Sequence, residues 1–510
     1  MTEIEISSRP LSLADLRRIW NGPVKLSLSD EACDSIRASQ ATVDAVIKGG
    51  EQVYGVNTGF GLLANVRISD DEIGVLQENL ICSHAVGVGP LLPDPIVRLV
   101  MVTKVKALAQ GNSGARLDLV TAIIELINRG IYPTIPAKGS VGASGDLAPL
   151  AHMAGVLIGI GDARVDGVEV SAEDALREAG LEKIRLAPKE GLALLNGTQV
   201  STAIALAAVF RTENLLAAAV TAGAMATDAI KGSDTPFDDR IHAVRGHDSQ
   251  SVIARTLREL LDGSTIRTSH LDCDRVQDPY SIRCQPQVAG ACLGVLRHVC
   301  DVLQIEANAV TDNPLVFAET GSILSGGNFH AEPVAFAADY LALAIAELGS
   351  ISERRVALLI DPQMSGLPAF LVKDSGLNSG FMIVQVTSAA LVSENKSLAH
   401  PASVDSIPTS ANQEDHVSMA TFAAYRLHAM LDNAINIIAI ELLAVAQGID
   451  FHHPQESSPM LEEAHGKVRE LSPVLEQDRS LKPDIDAVAA SIDAGAYRQF
   501  CATIMPSFAE

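Results

Sequence analysis

The chain contains the segment Lys138-Gly-Ser-Val-Gly-Ala-Ser-Gly-Asp-Leu-Ala-Pro-Leu150, in which three glycines precede a predicted helix. Glycine adopts backbone angles that are strained for other residues, so the chain can turn sharply here. Asp146 followed by Pro149 is typical of an N-cap and a first helical turn. We therefore predict that Ala143, Ser144 and Gly145 lie on a tight bend directly before a helix N-terminus.

Such a bend permits a reaction of the backbone with itself. The Gly145 amide nitrogen can approach the Ala143 carbonyl carbon, because neither residue has a side chain large enough to block it. Ring closure, with loss of water from the ring and from the Ser144 side chain, would produce a methylidene-imidazolone, which is an electrophile. The alternative is an ordinary glycine-rich turn that caps a helix. The segment is neither a nucleophile elbow, since Asp146 stands where that motif needs glycine, nor a P-loop.

The stretch from Gly139 to Ala151 resembles the prosthetic-group signature of the aromatic amino acid ammonia-lyases. The similarity covers nearly the whole chain, is strongest over residues 47–447, and is greatest to the members that act on histidine. It implies a mainly α fold, a long-helix bundle of fumarase/aspartase-like architecture with a smaller mixed N-terminal part. It also implies a 4-methylidene-imidazole-5-one group formed from Ala143, Ser144 and Gly145, with no dissociable cofactor.

The resemblance implies further catalytic and supporting residues. Tyr54, in Tyr54-Gly-Val-Asn-Thr-Gly-Phe-Gly-Leu62, and Tyr280 would handle protons, and Glu414 would face the substrate ring. Gln277 and Asp146 would support the prosthetic group. Without the resemblance, a tyrosine on a glycine-rich loop is simply a surface anchor.

Four residues are implied as substrate ligands. His84, in a Ser-His pair, would face the ring, and Phe329 would form an apolar wall. Arg283 would bind the substrate carboxylate with its planar fork, although a salt bridge to an acidic neighbour is the alternative. Asn196 falls in an apolar helical run, where an unpaired amide costs roughly 1–3 kcal/mol. It therefore needs a polar partner, either the substrate head group or a neighbouring helix.

Long helices are predicted over Pro333–Ile360, Gly380–Leu398 and Glu414–Gln447. At about 1.5 Å per residue they are rods that pack most simply as a bundle, and their Ala-rich flanks favour a symmetric homo-oligomer. The resemblance implies a homotetramer with shared active sites. Ser410 and Gln413 form a capping box that would open the last helix, which is a structural alternative to a functional Glu414. We expect an N-terminal domain over residues 1–195, carrying the prosthetic-group loop, and a helical bundle with a C-terminal segment over residues 196–510.

The composition restricts the possible partners. The 510 residues carry a net charge of −24, which disfavours nucleic acid and anionic membranes because phosphates would be repelled. Seven cysteines without Cys-x-x-Cys spacing disfavour disulfides and zinc, and no His-Glu-x-x-His appears, so no metal is expected. The first residues lack the features of a signal peptide, and no stretch is a convincing membrane span, so we expect a cytoplasmic protein.

The resemblance to the histidine-acting members predicts a carbon–nitrogen lyase that converts L-histidine to trans-urocanate and ammonia, the first step of histidine degradation. The electrophile would add the substrate amine or the imidazole ring. One alternative is a tyrosine or phenylalanine ammonia-lyase or aminomutase with the same electrophile, which His84 and Glu414 disfavour. Another is a non-catalytic helical scaffold in which the segment never cyclises.

Overall fold

The computed structural model describes residues 2–49, 53, 58, 68–69, 72–271 and 276–508. Tyr54 and Cys273 lie outside the described residues. Helices dominate, and most of the short strands precede residue 172, which confirms the expected mainly α fold with a mixed N-terminal part. The six cysteines in the described ranges form no disulfide with one another.

The described α-helices are, in chain order, α1 Leu13–Asn21, α2 Asp30–Gly49, α3 Ile73–His84, α4 Asp94–Ala109, α5 Leu117–Asn128, α6 Leu147–Leu157, α7 Ala172–Glu178, α8 Glu190–Leu195, α9 Gln199–Ala229, α10 Asp239–Ala243, α11 Asp248–Leu261, α12 Thr265–Thr268, α13 Tyr280–Arg283, α14 Gln285–Asn308, α15 Glu332–Ile360, α16 Pro362–Ser365, α17 Met382–Leu398, α18 Ala420–Asp450, α19 Pro459–Leu471 and α20 Lys482–Asp493. Short 3-10 turns include Ser410–Asn412.

The described strands form four small sheets. Their bounds are β1 Thr2–Ile6, β2 Val24–Leu28, β3 Val88–Leu91, β4 Tyr132–Pro133, β5 Pro136–Lys138, β6 Asp162–Val165, β7 Val168–Ser171, β8 Leu315–Phe317 and β9 Ser322–Leu324. β1 and β2 pair in parallel, whereas β3–β5, β4–β6–β7 and β8–β9 are antiparallel.

The chain divides into two compact units, each made of three segments. The first contains Met1–Ala207, Cys300–Asp339 and Pro401–Tyr425. The second contains Ala208–Val299, Tyr340–His400 and Arg426–Glu510. Four of the five boundaries between segments therefore fall within α9, α14, α15 and α18, and the fifth lies between His400 and Pro401, after α17. The expected domain boundary between residues 195 and 196 stays a prediction.

The start of α18 differs from the sequence-based expectation. The helix begins at Ala420 rather than at Glu414, so the predicted capping box of Ser410 and Gln413 is wrong. Ser410, Ala411 and Asn412 have φ angles of 50°, 54° and 69°, which a right-handed helix does not allow. Glu414 instead lies in a non-helical segment.

By length and composition, four of the described helices are apolar enough to cross a membrane: α9, α14, α15 and α18. In α9, 94% of the apolar window is buried inside the protein. A helix that is apolar on all sides is typical of a protein core as well as of a membrane.

Candidate active site

The bend predicted before α6 is present. Gly142 and Gly145 have φ angles of 66° and 74°, in the left-handed region that favours glycine. A Cβ atom at Gly145 would overlap the Gly197 carbonyl oxygen, and one at Gly142 would overlap the Ser418 hydroxyl. Both positions therefore require glycine for close packing as well as for backbone conformation. Ala143 is buried and Ser144 is half-buried at the apex.

Asp146 occupies the N-cap position of α6, but its side chain makes no capping bond to that helix. The carboxylate instead accepts hydrogen bonds from the Ser201 backbone N–H at 2.7 Å and from three hydroxyls, those of Ser140, Ser201 and Thr421. The predicted N-cap position of Asp146 is thus confirmed, but its side chain does not cap α6, since these four donors occupy its oxygens. Ser201 lies in the first turn of α9, so the charge of Asp146 serves the N-terminus of that helix.

Glu414 reaches the apex of the bend. The Ser144 hydroxyl donates to Glu414 Oε1 at 2.7 Å, and the Thr409 hydroxyl donates to Oε2 at 2.5 Å. The following segment is fastened to the glycine-rich loop, because the Met419 backbone N–H donates to the Val141 carbonyl at 2.8 Å. These contacts place an acidic side chain directly beside Ser144.

Asn196 lies between α8 and α9 in an extended conformation, so its predicted place inside a helix is wrong. Gly197, with a φ of 128°, interrupts the helical run after it. The requirement for a polar partner is nevertheless met, because the Asn196 amide donates to the Asn313 carbonyl at 2.8 Å. Its own carbonyl accepts from Lys104 Nζ at 2.6 Å. Burial lowers the pKa of Lys104 to about 7.

His84 and Phe329 are both half-buried residues of the first unit. His84 is the last residue of α3, and its Nδ1 atom lies 2.8 Å from the Leu80 carbonyl. A carbonyl only accepts, so Nδ1 is the donor in this contact, and in the neutral ring the lone pair is on Nε2. Phe329 lies in the loop that precedes α15.

Tyr280, Arg283 and Gln277 belong to the second unit. The Arg283 guanidinium carbon lies 4.6 Å from the centre of the Tyr280 ring. Arg283 Nε is shielded from solvent yet donates no hydrogen bond within the part of the chain that the structure describes. The Tyr280 ring therefore stacks on the Arg283 guanidinium, and the Nε atom of Arg283 remains available as a donor to an anion.

Sequence reasoning missed several polar residues around the bend: Lys104, Ser201, Thr409 and Thr421. Lys104 and Ser201 have a sequence signal, because each is a polar residue in a largely apolar helix and requires a partner if it is buried. Thr409 has no such signal, since it lies in an irregular segment and its contact with Glu414 depends on how that segment folds.

The profile of the aromatic amino acid lyase family matches residues 11–470 of the sequence. The chain belongs to the aromatic amino acid lyase family. It is 57% identical over 508 residues to histidine ammonia-lyase of Desulfotalea psychrophila, covering 99% of each chain. This membership makes the protein a lyase, as predicted, and disfavours the non-catalytic scaffold.

Solved structures show the same fold. Histidine ammonia-lyase from Trypanosoma cruzi superposes with a TM-score of 0.91 at 41% identity, over 100% of this chain and 96% of that one. Tyrosine aminomutase from Streptomyces globisporus gives a TM-score of 0.93 at 33% identity, over 98% and 99%. Because enzymes with different substrates share this fold, the fold alone does not select the substrate.

Proposed function

We propose that this protein eliminates ammonia from L-histidine and releases trans-urocanate, the first step of histidine degradation. The observation that carries the proposal is the 2.7 Å hydrogen bond between Ser144 and Glu414, which sets an acceptor for an imidazole N–H beside the candidate electrophile. The full-length similarity to histidine ammonia-lyases supports the same substrate.

The residues around Ser144 fit a 4-methylidene-imidazole-5-one group made from Ala143, Ser144 and Gly145. Ring closure needs small residues on both sides of the serine and a backbone that turns back, and the bend has both. When formed, the group supplies an electrophile for the departure of the amine. Asp146 holds the bend by joining it to α9, while Gln277 is proposed as a further support.

Glu414 is proposed to bind the substrate ring. In the uncyclised chain its Oε1 atom is occupied by the Ser144 hydroxyl. Loss of that hydroxyl during dehydration frees Oε1 to accept from the imidazole, while Thr409 keeps the carboxylate oriented through Oε2. His84 offers Nε2 as an acceptor, and Phe329 is proposed as an apolar wall.

The head group of the substrate is proposed to bind Arg283 and Asn196. The Nε of Arg283, which donates to no other described residue, supports this role, because a guanidinium fork takes a carboxylate through two parallel donors. The Asn196 side chain is held in place through the Asn313 carbonyl. Tyr54 and Tyr280 are proposed to transfer protons, and Tyr54 lies outside the described residues.

We further propose a cytoplasmic homotetramer with shared active sites, and neither nucleic acid nor membrane as a partner. The net charge of −24 supports the absence of polyanionic partners. In the second unit, an open groove of about 550 Å³ runs between α14, α15 and α17, lined by apolar residues such as Val295, Leu343 and Val392. Its lining and the 52% exposure of Leu343 support burial against another subunit.

The test combines intact mass with substrate preference. The purified protein should be lighter than its sequence mass by two waters, and Ser144→Ala should lose both the second dehydration and the release of urocanate. kcat/KM should be higher for histidine than for tyrosine or phenylalanine. An active preparation of full, unmodified mass would remove the prosthetic group from the proposal, and a parent enzyme that prefers tyrosine would remove histidine.

A further inference from the structure

His330, Glu332 and His416 form a cluster in the first unit, and their potential ligand atoms lie within 4.8 Å of one another. We propose that this cluster binds a divalent transition-metal ion of the zinc class. Two imidazoles and one carboxylate are a ligand set that suits such ions. Sequence motifs give no indication of it, because the ligands come from two segments more than 80 residues apart.

The hydrogen bonding of His330 prepares one ring nitrogen as a ligand. Its Nε2 atom lies 3.3 Å from the backbone carbonyl of His416. Since a carbonyl only accepts, Nε2 carries the proton and the neutral ring keeps its lone pair on Nδ1. Metal-binding histidines commonly donate their other N–H to a carbonyl or carboxylate in this way, which fixes the tautomer and the ring orientation.

Glu332 supplies an oxygen that has no hydrogen-bond partner in the described part of the chain. Its Oε2 atom is shielded from solvent but accepts no hydrogen bond among the described residues. Oε2 lies 3.9 Å from His330 Nδ1, so two electron pairs face each other across a gap when the ring is neutral. Ligands at zinc distances and tetrahedral angles are about 3.3 Å apart, so small side-chain rotations would close this pair around an ion.

His416 completes the set from the other segment. Its ring is stacked on that of His330, with an angle of 5° between the planes and 5.8 Å between the centroids. His416 is exposed and the other two side chains are about 28% and 27% exposed, so an ion can enter from solvent. Three protein ligands leave a fourth position for water.

The site would join two segments that meet at the glycine-rich loop. The Gly142 carbonyl accepts from the Ala331 N–H at 3.2 Å and from the Ser418 hydroxyl at 2.9 Å. Each of these donors is adjacent to, or two residues from, a proposed ligand. A bound ion would therefore fasten the segment that carries Glu414, and we expect it to raise the thermal midpoint of the protein.

A protonated His330 paired with Glu332 is the competing explanation of the same geometry. It needs no metal, and it does not require a ring nitrogen of His416. Metal binding by the His416 variant therefore distinguishes the metal site from the ion pair. Because binding is measured without substrate, the result does not depend on whether the protein acts on histidine.

The experiment uses tag-free, EDTA-treated and dialysed full-length protein without substrate. Co²⁺ is added while its visible absorption is followed, and Zn²⁺ binding is measured by calorimetry. We expect one site per chain, with affinity reduced at least about 10-fold in His416→Asn and in Glu332→Gln, since even outer-shell changes cost that much. The matched control is His247→Asn, which changes an exposed histidine outside the cluster and should bind as the parent does.

Variants are compared with the parent only when their far-UV circular dichroism in EDTA is unchanged. If one does not fold, the other decides the result, and the metal-induced rise of the parent's thermal midpoint is an independent measurement. The proposal is overturned if the parent binds no stoichiometric Co²⁺ or Zn²⁺, or if His416→Asn and Glu332→Gln bind as tightly as the parent.

Discussion

Asp146 is the residue whose replacement tests most directly how the bend is held. Its carboxylate accepts four hydrogen bonds, and one of them comes from the Ser201 backbone N–H at the start of α9. Ser201 is completely buried, so in Asp146→Ala this N–H has no water to replace the lost acceptor. The three hydroxyls have more freedom, because Ser201 and Thr421 already lie 2.9 Å apart and can bond to each other.

The magnitude follows from these contacts. An orphaned buried N–H costs about 1–3 kcal/mol, and loss of a negative charge from a buried helix N-terminus costs about 1–2 kcal/mol more. We therefore expect Asp146→Ala to destabilise the protein by about 2–5 kcal/mol and to leave most chains uncyclised. Asp146→Asn is the matched control. Its oxygen can still accept from Ser201 N–H while its amide donates to the hydroxyls, so the loss should be smaller.

Scanning calorimetry gives the stability difference, and intact mass spectrometry gives the fraction of chains that have lost two waters. The reasoning would be refuted if Asp146→Ala melted at the parent temperature and cyclised fully. It would also fail if Asp146→Asn were as damaging as Asp146→Ala, because the hydrogen-bond arrangement would then not be the cause.

Four further outcomes are expected. Glu414→Ala should lower kcat/KM for histidine by roughly 10- to 100-fold, which is the value of a charge-assisted hydrogen bond. The value for phenylalanine should change little, and an equal loss for both substrates would contradict a contact between Glu414 and the imidazole. Arg283→Lys should lower kcat/KM although charge is kept, since lysine has no planar fork; near-parent kinetics would exclude the carboxylate role. Arg355 and Glu441 form a buried ion pair with one contact of 2.8 Å, so Arg355→Met should cost about 3–5 kcal/mol in unfolding free energy, and the double variant with Glu441→Leu should recover much of it. Burial lowers the pKa of Lys104 from 10.5 to about 7. Between these two pH values the unfolded chain binds more protons than the folded one, so the free energy of unfolding should rise with pH by at most about 1.4 kcal/mol per pH unit. Urea unfolding of the parent and of Lys104→Met at pH values on either side of this window should show this rise in the parent alone.

The sequence by itself determined the features that depend on neighbouring residues. The bend before α6 was predictable because Gly142 and Gly145 permit left-handed backbone angles that other residues avoid. The long helices α15 and α17 begin within two residues of the positions expected from their apolar pattern. The family was evident as well, since a long contiguous motif carries its own chemistry.

Only the tertiary structure decided which distant groups meet. Asp146 stands at the predicted N-cap of α6, but its carboxylate bonds to α9, because the buried Ser201 N–H needs an acceptor. Glu414 was predicted to start a helix, yet it lies in an irregular segment that reaches Ser144 across 270 residues. The pairing of His330 with His416 has the same origin. Local patterns describe how a chain can bend or coil, whereas a buried polar group is satisfied by whatever partner the packing brings to it, and that partner can lie anywhere in the sequence.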